Sequence, residues 1–263
     1  MKIPLRSRTY TSTDDKTLTA WHKRLRHVKI VLFDWDGTLN RDDLKHFAAK
    51  KDLIRKFSFD NSLGLTAGSL LRFDGVDPDV LNGSHARKVG WQYFRERFPQ
   101  IGMIKRFFIY LYYEFTYSQN STKYDFLYSG GAETLRQLHN KGYILGVATN
   151  KGSNIVKKQR TVSGFDGVFI SILGSDSVLR MKPEPDMILK NLGIINRKMN
   201  ADYKPRNILM VGDSVTSDVK AGLNAGCFTC LVHAPESGLK EVESNNLPHL
   251  NLKSINQLPE FLP

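Results

Sequence analysis

Short apolar runs alternate with amphipathic segments along the chain from residue 130 onward. The pattern predicts strands at 143–148, 167–172, 207–211 and 228–232, and helices at 132–140, 153–162, 185–192, 215–225 and 255–261. Strands that alternate with helices are typical of a parallel sheet covered by helices on both faces. The sequence therefore predicts an α/β fold whose ligands bind at the carboxyl ends of the strands.

Residues 42–127 have a different pattern, with long helical periodicities and few strand signals. Helices are predicted at 43–57, 85–98 and 101–117. Because this stretch interrupts the alternation just after the first strand, we expect an inserted helical cap domain. The chain is then expected to divide into an N-terminal extension (1–28), a discontinuous core domain (29–41 and 128–263) and the cap (42–127).

Two carboxylates follow the first strongly apolar run of the chain. Asp34 and Asp36 come directly after Val-Leu-Phe, and a Gly-Thr turn follows them. On a strand, residues i and i+2 point to the same side, so both acids are expected to face one point. Carboxylates held that close repel one another unless a cation or a proton lies between them. The pair predicts either a metal site or acid–base chemistry.

Polar residues also follow later strands. Thr149 and Asn150 come after the strand at 143–148, where they can donate hydrogen bonds to an anion. The helix predicted to begin at Gly152-Ser153 would add backbone N–H donors, although a Thr-Asn pair before a helix is also a common cap. Lys182 lies in a loop stiffened by two prolines, and its ammonium could stabilise a phosphate or a carboxylate, or simply be solvated.

A third acid follows the strand at 207–211. Asp213 comes after Gly212, and with Asp34 and Asp36 it would form a three-acid cluster. Such a cluster suits Mg²⁺, a hard ion that prefers oxygen ligands. Taken alone, Asp213 could equally be the N-cap of the next helix.

In order, these segments resemble the four motifs of the haloacid dehalogenase (HAD) superfamily. The resemblance covers about residues 29–41 and 128–235, and the helical insert resembles the family's C1 cap. It implies a Rossmann-like core and a phosphatase similar to phosphoglycolate phosphatases. The matching segments are Asp34-x-Asp36-Gly37-Thr38, Thr149-Asn150, Lys182-Pro183, and Gly212-Asp213-Ser214 with Asp218.

The resemblance implies a role for each of these residues. Asp34 would attack phosphorus and form an aspartyl-phosphate, and Asp36 would act as the general acid and base. The residues expected to bind the phosphoryl oxygens are Thr149, Asn150 and Lys182. Mg²⁺ would be held by the carboxylates of Asp34 and Asp213 and by the backbone carbonyl of Asp36, with Ser214 and Asp218 in support. The spacing leaves open whether Ser217 or Asp218 faces the metal.

Asp36 also bears on the type of reaction. Family members that cleave carbon–halogen or phosphonate bonds lack an acid at this position, because their leaving groups need no such proton. We therefore expect phosphoryl transfer, and hydrolysis rather than mutase activity. The substrate stays open among phosphoglycolate, a sugar phosphate and a nucleoside monophosphate, and a phosphomutase of the same fold is the alternative.

The net charge of +12 is concentrated near the N-terminus, where residues 1–29 hold eight Lys and Arg against two acids. Leu18, Trp21, Leu25 and Val28 are spaced as on one face of a helix. This basic amphipathic helix could dock on a protein, on RNA or on an acidic surface, which would make the chain a subunit of a larger assembly. Alternatively, it packs on the protein's own core. The basic residues before position 13 also faintly resemble an organelle transit peptide, although a cytoplasmic location is expected.

Two further features have alternative interpretations. Aromatic residues are dense at 91–117 and could form either a ligand pocket or the core of the cap. Cys227 and Cys230 have C-x-x-C spacing, but they lie in an apparent strand and are expected to be inert core residues rather than a redox pair. No apolar stretch reaches the roughly 20 residues of a membrane span.

Overall fold

The computed structural model describes residues 9–10, 15–57, 95, 99, 101–123, 127–232 and 248–263. Contacts divide the chain into two compact units, Met1–Asn40 with Leu127–Pro263, and Arg41–Phe126. These divisions fall one residue from the predicted limits of the core and the insert. The extension 1–28 is grouped with the first unit rather than forming a body of its own. That Arg41–Phe126 acts as a cap stays a prediction.

The first unit contains a seven-stranded sheet in which every neighbouring pair is parallel. The strands are β1 (Thr9–Tyr10), β2 (Ile30–Phe33), β3 (Ile144–Ala148), β4 (Phe169–Leu173), β5 (Ile208–Gly212), β6 (Phe228–Val232) and β7 (Leu250–Leu252). Their spatial order is β1-β7-β6-β5-β2-β3-β4. The parallel α/β prediction is confirmed, and β2 lies in the interior of the sheet between β3 and β5.

Helices alternate with these strands along most of the first unit. They are α1 (Asp15–Leu25), α4 (Gly131–Asn140), α5 (Ser153–Val162), α6 (Asp186–Met199), α7 (Lys220–Ala225) and α8 (Leu258–Phe261). A five-residue π-helical turn, Val215–Val219, precedes α7. The largest differences from the predicted bounds in this unit are in four elements: α6 continues past residue 192, β4 begins two residues later, the helix predicted at 215–225 begins with the π turn, and α8 begins three residues later than predicted. Strands β1 and β7 were not predicted.

Apolar side chains of the sheet pack into two core clusters. In β2, Val31 and Phe33 belong to one cluster, whereas Ile30 and Leu32 belong to the other. Successive side chains of a strand point to opposite faces, so both faces of the sheet are buried. Full burial of a side chain of this size contributes about 1.5–3 kcal/mol to stability. The sheet therefore provides a rigid base for residues that follow its strands.

The two cysteines lie on opposite faces of this sheet. Cys230 packs in the same cluster as Phe33, whereas Cys227 packs with Leu32. Both are free thiols, and burial raises the pKa of Cys227 to about 12 and raises that of Cys230 as well. The prediction that they are inert core residues agrees with this placement.

The basic N-terminal helix packs against the core of its own unit. Trp21, Leu25 and Val28 are buried in the cluster that contains Phe33. The imidazole of His22 donates a hydrogen bond to the carbonyl of Glu260 at 2.7 Å, and the guanidinium of Arg24 lies 4.8 Å from the centre of the Trp21 ring. The apolar stripe that could have docked on a partner is thus used within the chain.

The second unit is described through α2 (Asp42–Phe57) and α3 (Met103–Lys123). Their packed residues include Leu53, Ile109 and Tyr113, which form a small core cluster. Part of the aromatic stretch is therefore core, whereas Phe108 and Phe115 on α3 are exposed. Trp91, Tyr93, Phe94, Phe98 and most of the helix predicted at 85–98 lie outside the described residues. Among the residues that the structure describes, no helix combines the length and apolar character needed to cross a bilayer.

Candidate active site

The carboxyl ends of β2, β3 and β5 bring most of the predicted site residues to one edge of the sheet. Phe33, the last residue of β2, is in register with Val147 of β3 and Val211 of β5. The backbone N–H of Asp34 continues this pairing by donating to the carbonyl of Val211 at 2.9 Å. Asp34 is therefore fixed at the centre of the edge, beside the segments that begin after β3 and β5.

Three carboxylates lie close together at this edge. Asp34, Asp213 and Asp218 each offer an oxygen, and these oxygens all lie within 4.8 Å of one another. Burial, followed by repulsion from the other two acids, raises the pKa of Asp213 well above its usual value. Burial also raises the pKa of Asp218 to about 7, and the charge of Asp34 adds to this effect against the opposing effect of Lys182. The cluster is therefore short of positive charge.

The ammonium of Lys182 is buried among these acids. Its Nζ atom lies 2.9 Å from Oδ1 of Asp34 and 2.5 Å from Oδ1 of Asp218. Burial alone would lower the pKa of Lys182, but the charges of Asp218 and Asp34 outweigh that effect and raise it. Among the residues that the structure describes, none donates a well-directed hydrogen bond to Oδ1 of Asp34, so Lys182 pairs with it by charge.

Asn150 holds the backbone of Lys182. Its Nδ2 donates to the carbonyl of Lys182 at 3.1 Å, and its Oδ1 accepts from the N–H of Lys182 at 3.0 Å. This paired contact orients the lysine, a role that the sequence did not indicate. Thr149 lies beside it, buried, and its Oγ1 accepts from the N–H of Lys151 at 3.3 Å. In this contact the hydroxyl of Thr149 acts as an acceptor.

Asp36 does not join the acid cluster through its side chain. Its Oδ2 lies 2.5 Å from Nζ of Lys151, and both side chains are nearly buried. The two acids that share a motif therefore pair with different lysines, Asp34 with Lys182 and Asp36 with Lys151. Sequence reasoning missed Lys151, because its position directly after Thr149-Asn150 does not distinguish a site residue from a surface lysine.

The Gly-Thr turn after Asp36 fits closely around Asp213. The hydroxyl of Thr38 donates to Oδ1 of Asp213 at 3.0 Å. Gly37 has a φ of 78°, and a Cβ at this position would overlap the Asp213 carboxylate. Only glycine adopts such a conformation readily and leaves the space empty. The motif therefore needs Gly37 for its shape and Thr38 for its hydrogen bond.

The π-helical turn decides between the two residues that the spacing left open. Asp218 is buried in the acid cluster, where its Oδ2 accepts from the N–H of Ser214 at 3.1 Å. Ser217 instead donates its N–H to Oγ of Ser214, which caps the turn. A Cβ on Gly212 would overlap Asp218, so that glycine makes room for the carboxylate. Asp218 is therefore the acid that faces the cluster.

The N-terminus of α5, which was predicted to donate hydrogen bonds to a bound anion, already has a partner within the protein. The N–H and hydroxyl of Ser153, at the start of α5, both donate to the carboxylate of Asp176 at 2.9 Å. The first N–H of this helix is therefore already paired, and the prediction that it serves an anion is wrong for Ser153. Asp176 neutralises this helix end instead.

Comparison with known proteins identifies the family. A family model described as haloacid dehalogenase-like hydrolase matches residues 31–232, which is most of the chain. The chain belongs to the haloacid dehalogenase-like hydrolases. It is 30% identical over 206 residues to a phosphoglycolate phosphatase of Vibrio vulnificus, an alignment that covers 77% of this chain and 82% of the relative. Together, the family and its relatives make this HAD hydrolase a phosphatase.

Solved structures support the HAD fold. A predicted phosphoglycolate phosphatase from Haemophilus somnus aligns with a TM-score of 0.63 at 23% identity, covering 88% of this chain and 96% of that one. The HAD hydrolase YfnB of Bacillus subtilis, bound to magnesium, aligns with a TM-score of 0.64 at 19% identity, covering 89% and 98%. At these identities the likeness shows a shared fold.

The acid cluster of this HAD phosphatase fits the Mg²⁺ that its family generally uses. Three carboxylates and one ammonium carry a formal charge that a divalent cation would balance. Within the described part of the chain, Oδ1 of Asp34 accepts no well-directed hydrogen bond, and carboxylate oxygens are the ligands that Mg²⁺ prefers. Burial, with repulsion from neighbouring acids in addition, raises the pKa values of Asp213 and Asp218, and a bound cation would offset both effects.

Proposed function

We propose that this HAD phosphatase is a Mg²⁺-dependent enzyme that hydrolyses a small phosphorylated metabolite through an aspartyl-phosphate on Asp34. The observation that carries the proposal is the position of Asp34, which lies close to both negatively and positively charged side chains. Its carboxylate lies in the acid cluster with Asp213 and Asp218, and the ammonium of Lys182 lies 2.9 Å away. This arrangement supports the proposal, because a nucleophile at Asp34 would lie beside acids that could hold a cation and beside an ammonium that could bind an anion.

In the first step, a carboxylate oxygen of Asp34 attacks phosphorus. The bond between phosphorus and the leaving oxygen breaks, and that oxygen takes the proton from the Asp36 carboxyl. In the second step, water attacks the phosphorus of the aspartyl-phosphate and gives a proton to Asp36. The bond between phosphorus and Asp34 then breaks, which releases phosphate and restores both acids.

The metal would be held by Asp34, Asp213 and the backbone carbonyl of Asp36, with Asp218 adjoining. When bound, Mg²⁺ would reduce the repulsion between an anionic nucleophile and an anionic phosphate. The hydroxyl of Thr149, the amide of Asn150 and the ammonium of Lys182 would bind the phosphoryl oxygens. Asn150 also contributes indirectly, because its amide fixes the Lys182 backbone.

Phosphoglycolate is the first substrate to test, because the relatives that align over most of their length carry the name phosphoglycolate phosphatase. The purified chain is assayed for phosphate release from phosphoglycolate, a sugar phosphate and a nucleoside monophosphate, with Mg²⁺ and with a chelator. We expect release from at least one substrate that requires Mg²⁺ and is abolished by Asp34→Asn. Asp202→Asn, a change at an exposed acid, is the matched control and should keep full activity.

The same assay separates hydrolysis from its alternatives. A phosphomutase would return the phosphoryl group to a bound sugar and release little phosphate, so an isomeric sugar phosphate would accumulate instead. A chain that serves only as an assembly subunit would turn over none of the substrates. Either result would contradict the proposed hydrolysis.

A further inference from the structure

The two acids of the first motif, Asp34 and Asp36, each form an ion pair with a different lysine. Lys182 pairs with Asp34 and Asp218, whereas Lys151 pairs with Asp36 through a contact of 2.5 Å between Nζ and Oδ2. We propose that Lys151 is a positioning residue that holds the Asp36 carboxyl group for proton transfer to the leaving oxygen. The proposal rests on the proposed function and adds a residue and a substrate class to it.

The backbone of Lys151 is held on both sides. Its N–H donates to Oγ1 of Thr149 at 3.3 Å, and its carbonyl accepts from the N–H of Ser175 at 3.1 Å. A Cβ on Gly174 would overlap the same carbonyl, so the neighbouring loop packs directly against it. Its side chain is only 11% exposed. The ammonium is therefore presented to Asp36 from a fixed base rather than from a free surface loop.

Asp36 needs such support because it follows the end of β2, in a turn. A carboxyl group that transfers a proton must be held close to the productive geometry, and a side chain is locked most firmly by packing and hydrogen bonds. The neighbouring donor Thr38 is directed to Asp213, and Lys182 is directed to Asp34 and Asp218. Lys151 supplies the charge-assisted contact to Asp36, a kind of hydrogen bond about twice as strong as a neutral one.

The chemistry predicts which substrates depend on Lys151. The leaving group of an alkyl phosphate is a basic alkoxide, which needs the proton that Asp36 provides as the bond breaks. The leaving group of an aryl phosphate such as 4-nitrophenyl phosphate is a stable phenolate, which hardly needs that proton. In this proposal Lys151 transfers no proton itself, so it affects only how well Asp36 delivers one. The class of substrate that this pair serves is therefore phosphate esters of aliphatic alcohols.

The test compares Lys151→Met and Lys151→Arg with the full-length wild type. We measure kcat/KM with Mg²⁺ for glycerol phosphate, phosphoglycolate and 4-nitrophenyl phosphate, since kcat/KM reports the steps up to cleavage of the ester. Lys151→Met should lower kcat/KM for both alkyl esters by at least about tenfold, which is a part of the roughly 10²–10⁴-fold that a general acid contributes, and change the aryl ester by less than about threefold. Lys151→Arg should restore most of the alkyl activity. Lys158→Met, on the exposed side of α5, is the control for the loss of one charge and should match the wild type.

Two results would overturn the proposal. An equal loss for alkyl and aryl esters, without rescue by Lys151→Arg, would show a merely structural role, and thermal unfolding of each variant checks for it. A loss confined to phosphoglycolate would show that Lys151 binds the carboxylate of the substrate instead. If the wild type hydrolyses none of the three esters, the proposed function fails first, which is distinguishable from both results.

Discussion

The Nζ atom of Lys182 lies 2.9 Å from Oδ1 of Asp34, and both side chains are almost completely buried. Breaking a buried ion pair by removing one partner usually costs more than the pair itself contributes, because the other charge stays buried without compensation. Here the same ammonium also pairs with Asp218. Lys182 is therefore central to the charge balance of the acid cluster, and in the proposed function its ammonium would also bind a phosphate.

Replacement of this lysine should destabilise the protein strongly. Without Lys182, the carboxylates of Asp34, Asp213 and Asp218 repel one another with no fixed positive charge between them. Lys182→Met should lower the free energy of unfolding by about 3–5 kcal/mol at pH 7 in the presence of a chelator, and it should abolish phosphate release. Urea unfolding measures the stability, and Lys157→Met on the exposed face of α5 is the control. A Lys182→Met protein as stable as the wild type would contradict the role given to this pair.

Magnesium binding should depend on pH because protons and the metal compete for the same acids. Without metal, burial raises the pKa of Asp218 to about 7 and also raises that of Asp213. The folded state therefore holds extra protons, and the stability they represent is present at low pH and lost as the pH rises through about 7. Mg²⁺ affinity should increase over the same range. Titration calorimetry at pH 6 and pH 8 should show tighter binding at pH 8, with protons released at pH 6. Asp218→Asn should weaken this dependence, and equal affinity at both values would contradict it.

Trp35 separates Asp34 from Asp36 and is completely buried. Its indole N–H donates to Oε1 of Gln159 on α5 at 2.6 Å. Gln159→Leu leaves that N–H buried without an acceptor and should cost about 1–3 kcal/mol of stability. In the Trp35→Phe background, where no N–H is present, the same change should cost much less. A double-mutant cycle by urea unfolding measures the difference, and strictly additive effects would show that the hydrogen bond contributes nothing.

The positions of four site residues could be predicted from the sequence. Three of them follow apolar strands and the fourth lies in a proline-stiffened loop; they are Asp34, Thr149, Asp213 and, in the loop, Lys182. Strand alternation brings such residues to one edge regardless of sequence distance. Lys151 could not be assigned in the same way. A lysine after a Thr-Asn turn has the pattern of a surface residue, and its contact with Asp36 depends on β2 and β3 being neighbours in the sheet.

The choice between Ser217 and Asp218 depended on a local irregularity. The π turn at Val215–Val219 accommodates an extra residue, which brings Asp218 rather than Ser217 to the cluster. A pattern based on 3.6 residues per turn does not reveal such a turn. Similarly, β1 and β7 have two and three residues, too few for alternation to mark them. Composition alone also does not show which residues of the aromatic stretch pack in the core and which lie on the surface.

His249, just before β7, is expected to make stability depend on acid pH. Its Nδ1 lies 2.9 Å from Oγ1 of Thr229 and accepts from the Thr229 N–H, and burial together with the charge of Arg24 lowers its pKa to about 4. Between about pH 6.5 and pH 4, His249 therefore binds a proton in the unfolded chain but not in the folded protein. Stability should fall as the pH decreases through this window.

His249→Asn tests this expectation, because asparagine keeps an acceptor but does not titrate. Urea unfolding at several pH values between 7 and 4, in wild type and variant, gives the difference. Its slope should approach about 1.4 kcal/mol per pH unit within the window. Parallel stability curves for the two proteins would contradict a depressed pKa of His249.

The proposed covalent step on Asp34 can be tested directly. The wild type is mixed with phosphoglycolate and Mg²⁺, quenched in acid within the first turnover, digested and analysed by mass spectrometry. The peptide that contains Asp34 should carry one phosphoryl group, and the same peptide from Asp34→Asn should carry none while its turnover is abolished. Absence of any phosphorylated peptide during active turnover, or a phosphoryl group on a different residue, would contradict the assignment of Asp34 as the nucleophile.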